Sequence, residues 1–150
     1  MDFQNFTQPS ELERNSFIWS EARLVIAALA LFLGGVPPVY KILPISAFYG
    51  LISSLLTIAW IISGLASAYL LYRWNAGGKI LFGKKNSKDM WTFLVSVVSG
   101  LNLGIAGLLS KNIGMSISSN YGIFIIVGLL YLVSAAYLYS RWKGNGEKLF

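Results

Sequence analysis

The chain has 150 residues, of which 55% are hydrophobic and 12% charged, with 12 Lys and Arg against 6 Asp and Glu. Soluble domains carry roughly one quarter charged residues, so this composition excludes an ordinary water-soluble domain. The absence of Cys and His excludes disulfides, thiol redox chemistry, His-ligated haem, the usual zinc sites and imidazole acid–base catalysis, and no cofactor is expected.

The first stretch of chain is polar and carries Glu11 and Glu13, where a cleavable signal peptide would begin basic and turn apolar. The first apolar run is therefore expected to act as its own insertion signal. Ser10 followed by Glu13 fits a capping box, which predicts a helix starting near Glu11. The Asn5-Phe6-Thr7 glycosylation triplet falls on the side assigned below to the cytoplasm and is read as chance.

Four apolar runs follow: Leu24–Tyr40, reaching back toward Phe17, then Ser46–Tyr72, Met90–Ser110 and Met115–Ser140. A span needs about 20 apolar residues to cross a hydrocarbon core of ~30 Å, so each qualifies. Pro37-Pro38 removes backbone donors and stops the first. Glu21 and Arg23 sit at the start of that run and are read as an interfacial pair with snorkelling side chains. The second run, roughly 40 Å if wholly helical, must tilt or project at its outer end near Phe48 and Tyr49.

Four spans put both termini and the central loop on one side. That side collects Arg14, Arg23, Arg73, Lys79, Lys84, Lys85, Lys88, Arg141, Lys143 and Lys148, leaving only Lys41 and Lys111 for the outer loops. Cytoplasmic loops carry the excess of Lys and Arg, so both termini are expected in the cytoplasm of a bacterial-type inner membrane. Trp19, Trp74, Trp91 and Trp142 fall at the inner span ends, where an indole suits the headgroup layer. The basic residues are scattered, which gives no nucleic-acid surface, but Lys79, Lys84, Lys85 and Lys88 are candidates for contact with anionic lipid.

The chain also repeats itself. Residues 67–82 read SAYLLYRWNAGGKILF and residues 134–150 read SAAYLYSRWKGNGEKLF. Tyr49-Gly50 likewise matches Tyr121-Gly122, and Leu31-Phe32-Leu33-Gly34 matches Leu101-Asn102-Leu103-Gly104. The expected fold is all-α: a single domain over 1–150 with four transmembrane helices, made of two two-helix repeats at about 17–83 and 88–150. Two spans per repeat make the halves parallel, related by an axis along the membrane normal.

The second half, through Gly100-Leu101-Asn102-Leu103-Gly104-Ile105-Ala106-Gly107 and Phe124-Ile125-Ile126-Val127-Gly128-Leu129, resembles the domain of unknown function 378 family of small, two-span bacterial inner-membrane proteins. That family has Gly-x-Asn-Trp-Gly in its first span and Tyr-x-Leu-Val-Gly-Leu in its second; here Leu103 replaces the Trp and Phe124 the Tyr. The resemblance implies a membrane hairpin, here in tandem, and no activity.

Ser96, Gly100 and Gly104 recur every four residues and predict a small face that lets helices approach closely. Asn102 within this run must find a partner, since an unpaired amide in a dry medium costs several kcal/mol. Interhelical packing is its first reading; the alternative is a polar path for a small solute lined by Asn102, Ser96 and Ser99. The chain is therefore expected to be a non-enzymatic structural or interaction module whose partners are the bilayer and itself or another membrane protein, with a small channel or transporter as the alternative.

Overall fold

The computed structural model describes residues 8–42 and 45–150; the Asn5-Phe6-Thr7 triplet lies outside them. Among the described residues six helices follow in order: α1 Pro9–Phe32, α2 Val39–Ile42, α3 Ile45–Ala76, α4 Ser87–Leu109, α5 Ile113–Ile117 and α6 Tyr121–Gly144. Four of these, α1, α3 over Phe48–Ala76, α4 and α6, are long and apolar enough to cross a bilayer. Among the described residues there is no sheet, and the architecture is compatible with a multi-pass integral membrane protein.

The first span is shifted from its expected place. Gly34 and Gly35 both have positive φ, at 76° and 85°, and Gly35 N donates to Ala30 O at 2.8 Å while Gly34 N donates to Leu31 O at 3.0 Å. This pattern of one wide and one narrow closing bond is a glycine-dependent helix stop, and it ends α1 well before Pro37-Pro38. At its other end the helix begins at Pro9, with Gln8 as an N-cap that makes no side-chain bond. The Ser10–Glu13 capping box does not form, because the helix begins one residue before Ser10 and leaves it inside the first turn, while Glu13 pairs with Arg73 at 3.0 Å. The fourth span also starts late, at Tyr121, where the Asn120 side chain accepts from Gly122 N at 2.8 Å and caps the helix.

The helices pack most closely as α3 against α4 and α1 against α6. Glycines set the first contact: a Cβ on Gly104 would stand 2.6 Å from the Gly64 Cα, so only a Gly pair lets the backbones cross there. In the second contact Gly128 receives the ring of Phe32, to which an added Cβ would come within 2.5 Å. The expected small face of α4 is thus present, with Gly100 against Ser67, Gly104 against Gly64 and Gly107 against Ile61.

The end of the bundle that carries Arg73 and Arg141 holds the main hydrophobic core. Phe17, Leu70, Trp74, Leu81, Phe82, Phe93, Val97, Leu138, Trp142 and Leu149 form one buried cluster. Phe17 packs on Trp142 with centroids 5.3 Å apart, and Trp74 on Phe93 at 5.6 Å. Trp74 and Trp142 are therefore core residues and not a headgroup belt; Trp91 alone of the four is mostly exposed. The chain folds its loop and tail over this core, with Phe82 N donating to Leu149 O at 2.8 Å.

Candidate functional site: a buried polar cluster at the middle of the bundle

Glu21 and Arg23 are both buried, contrary to the interfacial pair expected for them. Because α1 starts at Pro9, Arg23 lies about 15 Å farther along the helix than Glu13, at ~1.5 Å per residue. Glu13 pairs with Arg73 at 3.0 Å and Asp89 with Arg141 at 2.9 Å, so these ion pairs mark the basic end. The Glu21–Arg23 level is half a span deeper, where a side chain cannot reach either end of the bundle.

Positions two apart on a helix do not face one another, and the two groups meet through α4. The Arg23 guanidinium donates from Nη1 to Ser99 Oγ at 2.9 Å, and from Nη2 to Ser96 O at 2.8 Å and Ser96 Oγ at 3.4 Å. Ser96 Oγ donates in turn to Glu21 Oε1 at 3.2 Å. The Ser96 hydroxyl thus stands between cation and carboxylate. Gly100 makes room for this arrangement: a Cβ there would overlap the Ser67 side chain and lie 3.1 Å from Arg23 Nη2.

The cluster is not saturated. Glu21 Oε2, Arg23 Nε, and the hydroxyls of Ser20, Ser67 and Ser134 are buried without a hydrogen-bond partner. A buried charge without full partners costs far more than a neutral polar group, and Glu21 and Arg23 each keep one such unfilled position. The aromatic core of Phe17, Trp74, Phe93 and Trp142 closes the bundle on the basic side, and the Gly64–Gly104 crossing brings α3 and α4 together beyond it.

The candidate residues read from the sequence separate into four groups. Ser96, Ser99 and Gly100 meet at the Arg23 site, and Gly104 sits at the helix crossing. Asn102 does neither of the things expected of it. Its Nδ2 donates to Asn112 Oδ1 at 2.9 Å, and its Oδ1 accepts from Ile113 N at 2.9 Å and Gly114 N at 3.3 Å. It holds α5 at the end of the bundle away from Arg73, and its partners come from its own loop rather than from another span. Lys79, Lys84 and Lys85 are exposed on the loop between α3 and α4, and Lys88 is exposed in the first turn of α4.

A second charged cluster organises the basic end. Asp89 is fully buried and takes a two-pronged bond from Arg141, Nε to Oδ1 at 3.0 Å and Nη2 to Oδ2 at 2.9 Å, together with the Tyr137 hydroxyl at 2.7 Å. Glu13 similarly accepts from Phe150 N at 3.3 Å besides pairing with Arg73. Glu147, beyond α6, pairs with Lys143 and lies 3.6 Å from Arg14; the hydrogen bond and charge of Lys143, with that of Arg14, hold its carboxyl below the usual carboxylate range. No protein-family profile, curated protein or solved structure matches the chain.

Proposed function

We propose that this chain is a polytopic protein of a bacterial-type inner membrane, with both termini cytoplasmic, that acts as an interaction module and has no catalytic role. The observation that carries the reading is the Glu21–Arg23–Ser96–Ser99 cluster, which is buried, only partly satisfied, and closed by apolar packing toward the basic end. An ionisable group inside a span is by default a functional position. A continuous polar path would be needed for conduction, whereas here the Phe17–Trp142 and Trp74–Phe93 pairs stand across it.

Matching geometry in the two halves supports their origin as a duplicated hairpin. After α3, Gly77 N donates to Arg73 O and Lys79 N to Trp74 O; after α6, Asn145 N donates to Arg141 O and Glu147 N to Trp142 O. Gly78 and Lys79 take positive φ, as do Gly146 and Glu147. The acid–Arg pairs and the Phe–Trp pairs also recur. Together they favour a register that pairs Phe17 with Phe93 and Glu13 with Asp89, and so sets Ala28, not Leu33 or Gly34, opposite the Gly104 region. Kinship of the second half with the domain of unknown function 378 family is part of the same reading, with Gly104 and Gly128 as its packing positions.

The four exposed lysines, Lys79, Lys84, Lys85 and Lys88, are assigned to anionic lipid, each contributing about 1 kcal/mol near such a surface. Native mass spectrometry of protein released from nanodiscs, with a solute-flux assay in liposomes, tests the assignment. A monomer, a dimer or a complex with a second protein, with no flux above empty liposomes, is expected. A ring of subunits with flux that changes in Ser99→Val would replace the module by a channel.

A further inference from the structure

Between α3 and α4, toward the basic end, lies a groove of about 500 Å³. Ala68 and Leu71 of α3 and Leu101 of α4 line its deep part, while Tyr72, Trp74, Asn75 and Lys79 line the part nearer the basic end. Ala68, Leu71, Tyr72 and Asn75 fall at i, i+3, i+4 and i+7, one face of a helix, so the lining passes from apolar to polar over about 10 Å. Asn75 and Lys79 are exposed, and among the described residues no carboxylate lies within ion-pair distance of Lys79. Resting on the assignment of the exposed lysines to anionic lipid, we propose that this groove seats one anionic phospholipid molecule, with its phosphate on Lys79 and an acyl chain along Ala68, Leu71 and Leu101.

The helix stop places the cation. At the end of α3, Gly78 N donates to Asn75 O at 3.3 Å and Lys79 N to Trp74 O at 2.9 Å, with Gly78 and Lys79 both at positive φ, 74° and 61°. Glycine serves such a position without strain, yet a lysine occupies the second one, and its ammonium stands 6.0 Å from the centre of the Trp74 ring at the edge of the groove. Polarity then selects the occupant. A phospholipid carries its phosphate at the interface and its chains in the hydrocarbon, the order in which the groove runs from Lys79 to Ala68, whereas a soluble phosphate ester would leave the apolar floor uncovered. A zwitterionic headgroup brings its own cation to the phosphate, so the unanswered charge of Lys79 favours a lipid with net negative charge.

The molecule contains its own control. Aligning Arg73-Trp74 with Arg141-Trp142 sets Ala68 opposite Ala136, Leu71 opposite Tyr139, Asn75 opposite Lys143 and Lys79 opposite Glu147. Ala136 and Tyr139 line a second groove, between α1 and α6, together with Val25, which the Phe17–Phe93 register sets opposite Leu101. The helix stops also agree, since Glu147 N donates to Trp142 O at 2.9 Å with φ 62°. There, however, the charges meet within the chain, because Glu147 pairs with Lys143. Of the two related grooves, only the one at Lys79 ends in a cation without an acid of its own among the described residues.

The test is native mass spectrometry of the full-length protein in detergent, titrated with dioleoyl phosphatidylglycerol or dioleoyl phosphatidylcholine and read as the affinity for the first lipid bound. Phosphatidylglycerol is expected to bind about fivefold more tightly, which corresponds to the ~1 kcal/mol of one basic residue near an anionic headgroup. Lys79→Gln should abolish that preference and Lys79→Arg keep it, while Lys85→Gln, which removes the same charge from the same loop, should leave it within about twofold of the parent, since loss of a diffuse attraction would follow either lysine. Ala68→Phe, at an exposed position, fills the floor and should weaken both lipids. Equal losses in Lys79→Gln and Lys85→Gln would reduce the lysines to a diffuse attraction and overturn the seat alone, as would unchanged binding in Ala68→Phe. Displacement of the lipid by an equal concentration of glycerol 3-phosphate would make the site one for a free phosphate ester and also overturn it. Equal binding of the two lipids by the parent protein would remove the assignment of the lysines to anionic lipid together with the seat.

Discussion

Replacing Glu21 and Arg23 singly and together separates a buried cluster from a snorkelling pair. In Arg23→Leu the bonds to Ser99 Oγ, Ser96 O and Ser96 Oγ are lost, and Glu21 keeps only the Ser96 hydroxyl as a donor. Removing one partner of a buried pair costs about 3–5 kcal/mol, while replacing both by well-packed apolar groups is often neutral or stabilising by 1–4 kcal/mol. Arg23→Leu is thus expected to cost about 3–5 kcal/mol. Glu21→Leu should fall near the lower bound, because the guanidinium retains its three oxygen acceptors on α4. The double variant should lie within about 1 kcal/mol of the parent or above it. Steric trapping in bicelles gives the four stabilities needed for the cycle. Two single variants within about 1 kcal/mol of the parent, adding to the double within about 0.5 kcal/mol, would refute the reasoning and return the pair to the interface.

Three further outcomes follow from particular contacts. Gly104→Ala should cost at least about 1–3 kcal/mol, the usual range for overpacking, since its Cβ meets the Gly64 backbone, whereas Gly50→Ala, with open space around it, should be neutral or stabilising by up to about 1 kcal/mol; equal effects in the same unfolding assay would deny the crossing. Asn102→Leu should release α5, seen as faster amide exchange at Ile113 and Gly114, with only about 0.5–1.5 kcal/mol per bond lost from the fold; loss of the bundle with α5 still protected would restore Asn102 as interhelical glue. Glu147 should titrate below the usual carboxylate range by NMR in micelles and move back toward it in Lys143→Ala. Since its folded pKa is depressed, its contribution to stability is complete above the unfolded value and disappears as pH falls through the folded one; a titration at or above the ordinary value would show that the pair with Lys143 does not form.

Span number and the small face of α4 were legible because both rest on local pattern: long apolar runs, and Ser or Gly every four residues. The start of α1 was legible as well, since Pro9 lies two residues from the Glu11 expected; its early stop was not, because Pro37-Pro38 drew the reading past the two glycines before it. Gly34-Gly35, two adjacent glycines after an apolar run, was the signal that the helix stops before Pro37. Counting back from that stop by the 24 residues of α1 places Glu21 and Arg23 near its centre. The tryptophans misled for a related reason: Trp74 and Trp142 follow Arg73 and Arg141 at helix ends, but the tail and loop that carry Leu81, Phe82 and Leu149 fold over them. Asn102 was read by its position in a span, although Asn112 and the two amides after it were close enough in sequence to claim its side chain.

The chain has no Cys, so single-Cys variants can be tested for reaction with a membrane-impermeant methanethiosulfonate from each side of sealed vesicles. Ser99→Cys is expected to stay unlabelled from both sides, while Lys85→Cys reacts only from the cytoplasmic face and Lys111→Cys only from the opposite one. Labelling of Ser99→Cys from either side would show a water-filled route to the Arg23 level and contradict the closed interaction module.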